Sequence, residues 1–197
     1  MSLYVKICGI TTAESARVAA DAGADAVGFV FAESPRQLSP RVAAEIASDL
    51  PGHVEKVAVF LDPGLDEIRG VLEVCDADRV QADADSLVGF RERSVMPVLR
   101  AAVDGYAGER VLFEGPRSGV GDVADWEAAA SMAGSSELVL AGGLDAGNVS
   151  TAVSQVRPFG VDVSSGVESR PGAKDQRLIE EFIEAVRKTE KANEVRR

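Results

Sequence analysis

The 197-residue chain carries 32 acidic against 21 basic side chains, a formal net charge of −11. That balance argues against nucleic-acid binding and against an anionic membrane surface, since both require a basic face. It also means that a small anionic ligand must be held by a local site of backbone N–H groups and one or two arginines, because the overall field repels it.

Hydrophobic residues make up 46% of the chain and only two cysteines are present. Such a composition predicts one globular domain with reduced thiols, working in the cytoplasm, rather than a disulfide scaffold. No apolar run approaches the ~18 residues of a membrane span, and the start of the chain lacks the regions of a signal peptide.

Apolar runs recur along the chain at Leu3–Cys8, Ala26–Phe31, Lys56–Phe60, Arg79–Gln81, Val95–Arg100, Val111–Phe113, Leu138–Ala141 and Phe159–Val163. Their near-continuous Val, Ile, Leu and Phe content, without alternation, suits parallel strands covered on both faces. Helix signals fall between them. Thr11-Thr12-Ala13-Glu14 has capping-box spacing and Gly23 is a stop; Ser39-Pro40 reads as an N-cap with proline at the first helical position. Apolar residues from Leu65 to Cys75 repeat at three to four, Asp145 can cap a helix through Val156, and Leu178 to Val186 draws a further stripe. Ala84–Arg93 and Val103–Gly108 are the weakest places for helices. Repeated βα units predict an α/β fold, a single (β/α)8 (TIM) barrel over residues 1–197, with 188–197 a frayed charged tail.

In such a barrel the C-terminal ends of the strands line the active site. Those ends read Cys8, Phe31, Gln81 with Asp83, Arg100, Glu114, Gly142 with Gly143, and Asp162 with Ser164. Two successive strand-to-loop junctions, Ala141-Gly142-Gly143 and Val163-Ser164-Ser165-Gly166, supply small residues whose amides can approach a phosphate. Cys8 at a strand end becomes a usable base if its thiol is modestly lowered; a buried cysteine is more commonly a small hydrophobe, and its position tips the balance. Glu114 is a candidate general acid. Asp162 lies inside an apolar strand, where a carboxylate needs a partner or a task. Cys75 reads as core, and His53, the sole histidine, precedes the third strand on the opposite face. One histidine and two distant cysteines give no metal-ligand set, and Gly119-Val120-Gly121 is a loop rather than a dinucleotide fingerprint.

Several blocks in order resemble the phosphoribosylanthranilate isomerase family: Val5-Lys6-Ile7-Cys8-Gly9, Gly23-Ala24-Asp25-Ala26-Val27-Gly28-Phe29, Ser34-Pro35-Arg36, Ala141-Gly142-Gly143-Leu144, and Val161-Asp162-Val163-Ser164-Ser165-Gly166-Val167-Glu168 with Lys174-Asp175. The resemblance implies an Amadori rearrangement of a small phosphorylated anion, without cofactor or metal. It makes Cys8 the base and Arg36 the anchor for the substrate carboxylate, and it gives the phosphate to Gly142, Gly143, Ser165 and Gly166. It leaves a monomer and a homodimer both open. This chain departs from the family at the site: Glu114 stands where an aspartate is usual, Asp83 for a histidine, Arg100 for a lysine, and Gly121-Asp122 for Gly-Lys. Two other readings stand beside the isomerase. One is a related phosphosugar aminoaldose–ketose isomerase; the other is a phosphate-ligand binder without turnover.

Overall fold

The structure, a computed structural model, describes residues 2–103, 106, 110–116 and 123–195, the last three as backbone only. Eight strands close into a parallel barrel in chain order: β1 (Tyr4–Cys8), β2 (Ala26–Val30), β3 (Glu55–Val59), β4 (Arg79–Asp83), β5 (Ser94–Leu99), β6 (Arg110–Phe113), β7 (Glu137–Leu140) and β8 (Gly160–Val163). The ring closes where β8 pairs with β1, with Tyr4 opposite Gly160 and Lys6 opposite Asp162. Around it run α1 (Ala13–Ala22), α2 (Pro40–Ser48), α3 (Leu65–Leu72), α4 (Trp126–Met132), α5 (Val149–Val156) and α6 (Gln176–Val195).

The strands sort their side chains by the two-residue period. On β1, Val5 and Ile7 join the outer core that packs on the helices. Tyr4 and Cys8 join the inner core with Ala26, Val57, Met96, Leu112 and Val139. The N-terminal mouth of the barrel is plugged by Arg110, whose guanidinium lies 4.5 Å from the Tyr4 ring centroid and 4.7 Å from that of Phe159. Glu55 accepts there from Tyr4, Arg79 and Arg110.

Several local expectations are corrected. The α1 cap is Thr12, which accepts from the Ser15 amide, while Thr11 instead donates to the Gly172 carbonyl. Asp145 does not cap α5, whose N-cap is Asn148; its carboxylate accepts from the Gly147 and Asn148 amides and so folds the turn before the helix. Cys75 is buried, but beyond the end of α3. After β4 the chain makes only a 3-10 turn, Ala84–Leu87, as the weak helix signal over Ala84–Arg93 predicts. The segment read as a frayed tail is helical through Val195, with Thr189 buried and Glu190 accepting from the Leu3 amide. Residues 104, 105 and 107–109 of the connection from β5 to β6, and Gly119-Val120-Gly121 with Asp122, lie outside the described residues.

Candidate active site

A cleft opens at the C-terminal rim of the barrel. Cys8, Arg36, Gln81, Arg100, Glu114, Gly142, Gly143, Asp162, Ser164 and Ser165 all line it. The thiol near the chain's start and the glycine loop near its end therefore share one cavity. His53 lies exposed ahead of β3, as its position in the chain predicted.

The anion-binding side is built by the loops after β7 and β8. Gly142 and Gly143 both take positive φ, +85° and +63°, a conformation that favours glycine and can turn successive amides inward. Asn148 fixes this loop, donating to the Gly143 carbonyl at 2.7 Å and accepting from the Asp145 amide at 3.0 Å. Gly166 does not line the cleft. A Cβ there would fall 2.0 Å from the Leu144 carbonyl oxygen, so its role in the structure is to let the β8 loop pack directly on the β7 loop.

Asp162 has found its partner. Lys6, wholly buried on the inner face of β1, donates to Asp162 Oδ1 at 2.7 Å. The carboxylate considered for catalysis is thus held in a buried ion pair. Lys6 was missed as a site residue, although the argument that singles out an aspartate within an apolar strand applies equally to a lysine within one. Cys8 lies two residues on, facing the same way. Burial pushes its thiol up, while Lys6 and Lys174 pull it down and Asp162 opposes them. The balance remains above the ordinary thiol value, because desolvation outweighs the nearby cations, so the lowering that would make the thiol a ready base is not met by these neighbours.

Arg36 reaches the cleft from the loop between β2 and α2. Its Nε and Nη2 each donate to Glu168 at 2.8 Å, a bidentate pair. Glu168 opens a small antiparallel hairpin, β9 (Glu168–Arg170) and β10 (Ala173–Lys174), beyond β8. Lys174, whose side chain is fully buried, donates to Glu168 at 2.7 Å and to the Ser164 carbonyl at 2.9 Å. The hairpin therefore ties the arginine loop to the β8 loop through Glu168. Burial alone would raise the Glu168 carboxyl, but hydrogen bonds from Arg36 and Lys174 bring it below its ordinary value.

The three described departures from the family pattern meet at one nitrogen. Arg100 Nη2 contacts Asp83 at 2.7 Å and Glu114 at 3.0 Å. Gln81 presents a buried Oε1 that has no hydrogen-bond partner among the described residues, an acceptor that a ligand donor in the cleft could satisfy.

Glu168→Gln should leave Arg36 and Lys174 as adjacent buried cations. Breaking such a pair is expected to cost about 3 kcal/mol of stability and to raise KM more than it lowers kcat. The wild-type contribution of Glu168 is fully present above the unfolded carboxyl value, ~4.3, and is lost as pH falls through the depressed folded value. Denaturant titrations across pH 3–7 should show a shallower acid loss in the variant.

The family model described as N-(5'phosphoribosyl)anthranilate (PRA) isomerase matches residues 5–185. The N-(5'-phosphoribosyl)anthranilate isomerase of Geobacter sp. (strain M21) is 43% identical over 199 residues, covering 93% of this chain and 98% of that protein. The enzyme of the same name from Oceanobacillus iheyensis is 38% identical, covering 94% and 98%. Among solved structures, phosphoribosyl anthranilate isomerase from Thermotoga maritima superposes with a TM-score of 0.85 at 35% identity, covering 94% of this chain and 99% of that one. A phosphoribosyl anthranilate isomerase in complex with reduced 1-(o-carboxyphenylamino)-1-deoxyribulose 5-phosphate gives 0.81 at 35% identity, with the same coverage.

Proposed function

The chain belongs to the N-(5'-phosphoribosyl)anthranilate isomerase family, and from that premise we propose how its own residues carry out the rearrangement. The reaction converts N-(5'-phosphoribosyl)anthranilate to 1-(2-carboxyphenylamino)-1-deoxyribulose 5-phosphate, an aldose-to-ketose isomerisation in tryptophan biosynthesis. The observation that supports the assignment of roles is the shared cleft: Cys8 and Glu114 face the same cavity as Gly142, Gly143, Ser164 and Ser165.

The substrate phosphate sits against the amides of the β7 and β8 loops, with Gly166 allowing their close packing. Arg36, oriented by Glu168, meets the anthranilate carboxylate, and Gln81 accepts a hydrogen bond from the ligand. Glu114 donates a proton to the furanose ring oxygen, which opens the ring to a Schiff base. The Cys8 thiolate then removes the C2 proton, and the resulting enolamine tautomerises to the ketone. For donation the Glu114 carboxyl must turn from Arg100, and Asp83 gives that guanidinium a second carboxylate to rest on. A thiol base suits the reducing conditions of the cytoplasm, where we place the protein.

Complementation tests the activity. A tryptophan auxotroph lacking only this isomerase should grow on minimal medium when it expresses the chain. A well-folded, abundant protein that neither restores growth nor converts the substrate in vitro would overturn the assignment.

A further inference from the structure

The reading of Cys8 as base leaves open how a thiol in so buried a place becomes a thiolate. We propose that Lys6 is a positioning residue for the isomerisation, its buried ammonium, held by Asp162, standing beside the Cys8 thiol and stabilising the thiolate that accepts the proton.

Lys6 and Cys8 are two residues apart on β1, so both point into the barrel. Gly28 is the register partner of Cys8 on β2. A Cβ at Gly28 would lie 2.9 Å from Cys8 Sγ and 3.2 Å from Lys6 Nζ. The thiol and the ammonium therefore crowd one hollow, which exists because position 28 has no side chain. The ammonium has three donors; Asp162 Oδ1 takes one at 2.7 Å, and the thiol shares the hollow with the same head group, close enough to feel its charge.

A buried ion pair is weak evidence for stability alone, since apolar residues of similar volume commonly serve as well. Its placement against a nucleophilic thiol gives it a chemical use. Among the described residues, the charged groups that act on the thiol are Lys6 on the same strand, Asp162 on β8, Lys174 on β10 and Arg36 on the loop after β2. Among the charges, the pull of Lys6 on the thiol outranks the opposing push of Asp162. Removing the pair together should thus still disfavour the thiolate, though by less than removing Lys6 alone.

The test is the pH dependence of Cys8 alkylation by iodoacetamide on the intact protein, read by peptide mass spectrometry so that Cys75 is scored separately. In Lys6→Met the midpoint should rise by about one unit or more, a tenfold loss of thiolate at a given pH. In Lys6→Met/Asp162→Asn, which leaves no unpaired buried charge, it should rise by a smaller amount. kcat should fall at neutral pH in both and recover as pH rises, a rescue that a purely structural defect would not show. An unchanged or lowered midpoint in the folded double variant overturns the proposal. Should both variants lose their fold, Lys6→Arg, which keeps a buried cation on the same strand, decides with the same readout: a midpoint within a few tenths of wild type supports a role for the cation, and one raised as far as expected for Lys6→Met removes it. The role of Cys8 is separable. A shifted midpoint alongside full turnover in Cys8→Ala would sink the base assignment and leave the Lys6–Cys8 coupling standing.

Discussion

Cys8→Ala is expected to lower kcat by roughly 10^3-fold, within the range for losing a positioned general base, while the protein still binds reduced product analogue. Little else in the cleft is placed to take a carbon-bound proton: Glu33 lines it only from the exposed loop after β2, and the deeper carboxylates already hold cations. Asp162 is engaged with Lys6 at 2.7 Å and Glu168 with Arg36 and Lys174. Asp83 and Glu114 converge on Arg100. Among these carboxylates none is placed beside the thiol without a cation already in contact. The substitution removes a small group from the end of β1 and leaves the phosphate loops and Arg36 untouched, so calorimetry should report binding within a few-fold of wild type. Retained turnover in Cys8→Ala would require a different base.

Glu114→Gln should reduce kcat by about 100-fold with little change in KM. The amide keeps the shape of the side chain but cannot supply the proton that opens the ring. Arg100 keeps Asp83 as a partner, so this change should be milder for stability than for turnover. Steady-state kinetics with a thermal melt separates the two. If the variant turns over at the wild-type rate, Glu114 is not the acid, and Asp162 is the next carboxylate in the cleft. Its buried pairing with Lys6 makes it the harder donor, since releasing it would leave an uncompensated ammonium.

The barrel was legible because its strands are written in the plainest code a sequence has. Runs such as Ala26–Phe31 and Leu138–Ala141 are apolar on both faces, and that alone marks a covered parallel sheet. Strand ends then place Cys8, Gln81, Arg100, Glu114 and Asp162 on one rim by topology. What could not be read is the pairing of charges. Lys6 meets Asp162 across 156 positions of sequence and Arg36 meets Glu168 across 132, and no local period encodes which cation a carboxylate will find. The Ser39-Pro40 cap of α2 and the Gly23 stop of α1 were legible, but the capping-box spacing places the start of α1 one residue early. Thr11 and Thr12 are equally good caps by residue type, and the hydrogen bond from Thr11 to Gly172 in the distant hairpin decides between them. The state of the Cys8 thiol was not legible either, because burial depth, which outweighs the neighbouring lysines, is a property of the closed barrel and not of the motif.

In the proposed mechanism one ligand spans from the β7 and β8 loops to the thiol on β1. A crystal structure with reduced 1-(o-carboxyphenylamino)-1-deoxyribulose 5-phosphate measures it directly. The phosphate should rest on the Gly143 and Ser165 amides, with the sugar C2 atom about 3.5 Å from Cys8 Sγ, near attack distance. A phosphate bound away from those loops, or a C2 atom well out of reach of the sulfur, would contradict it.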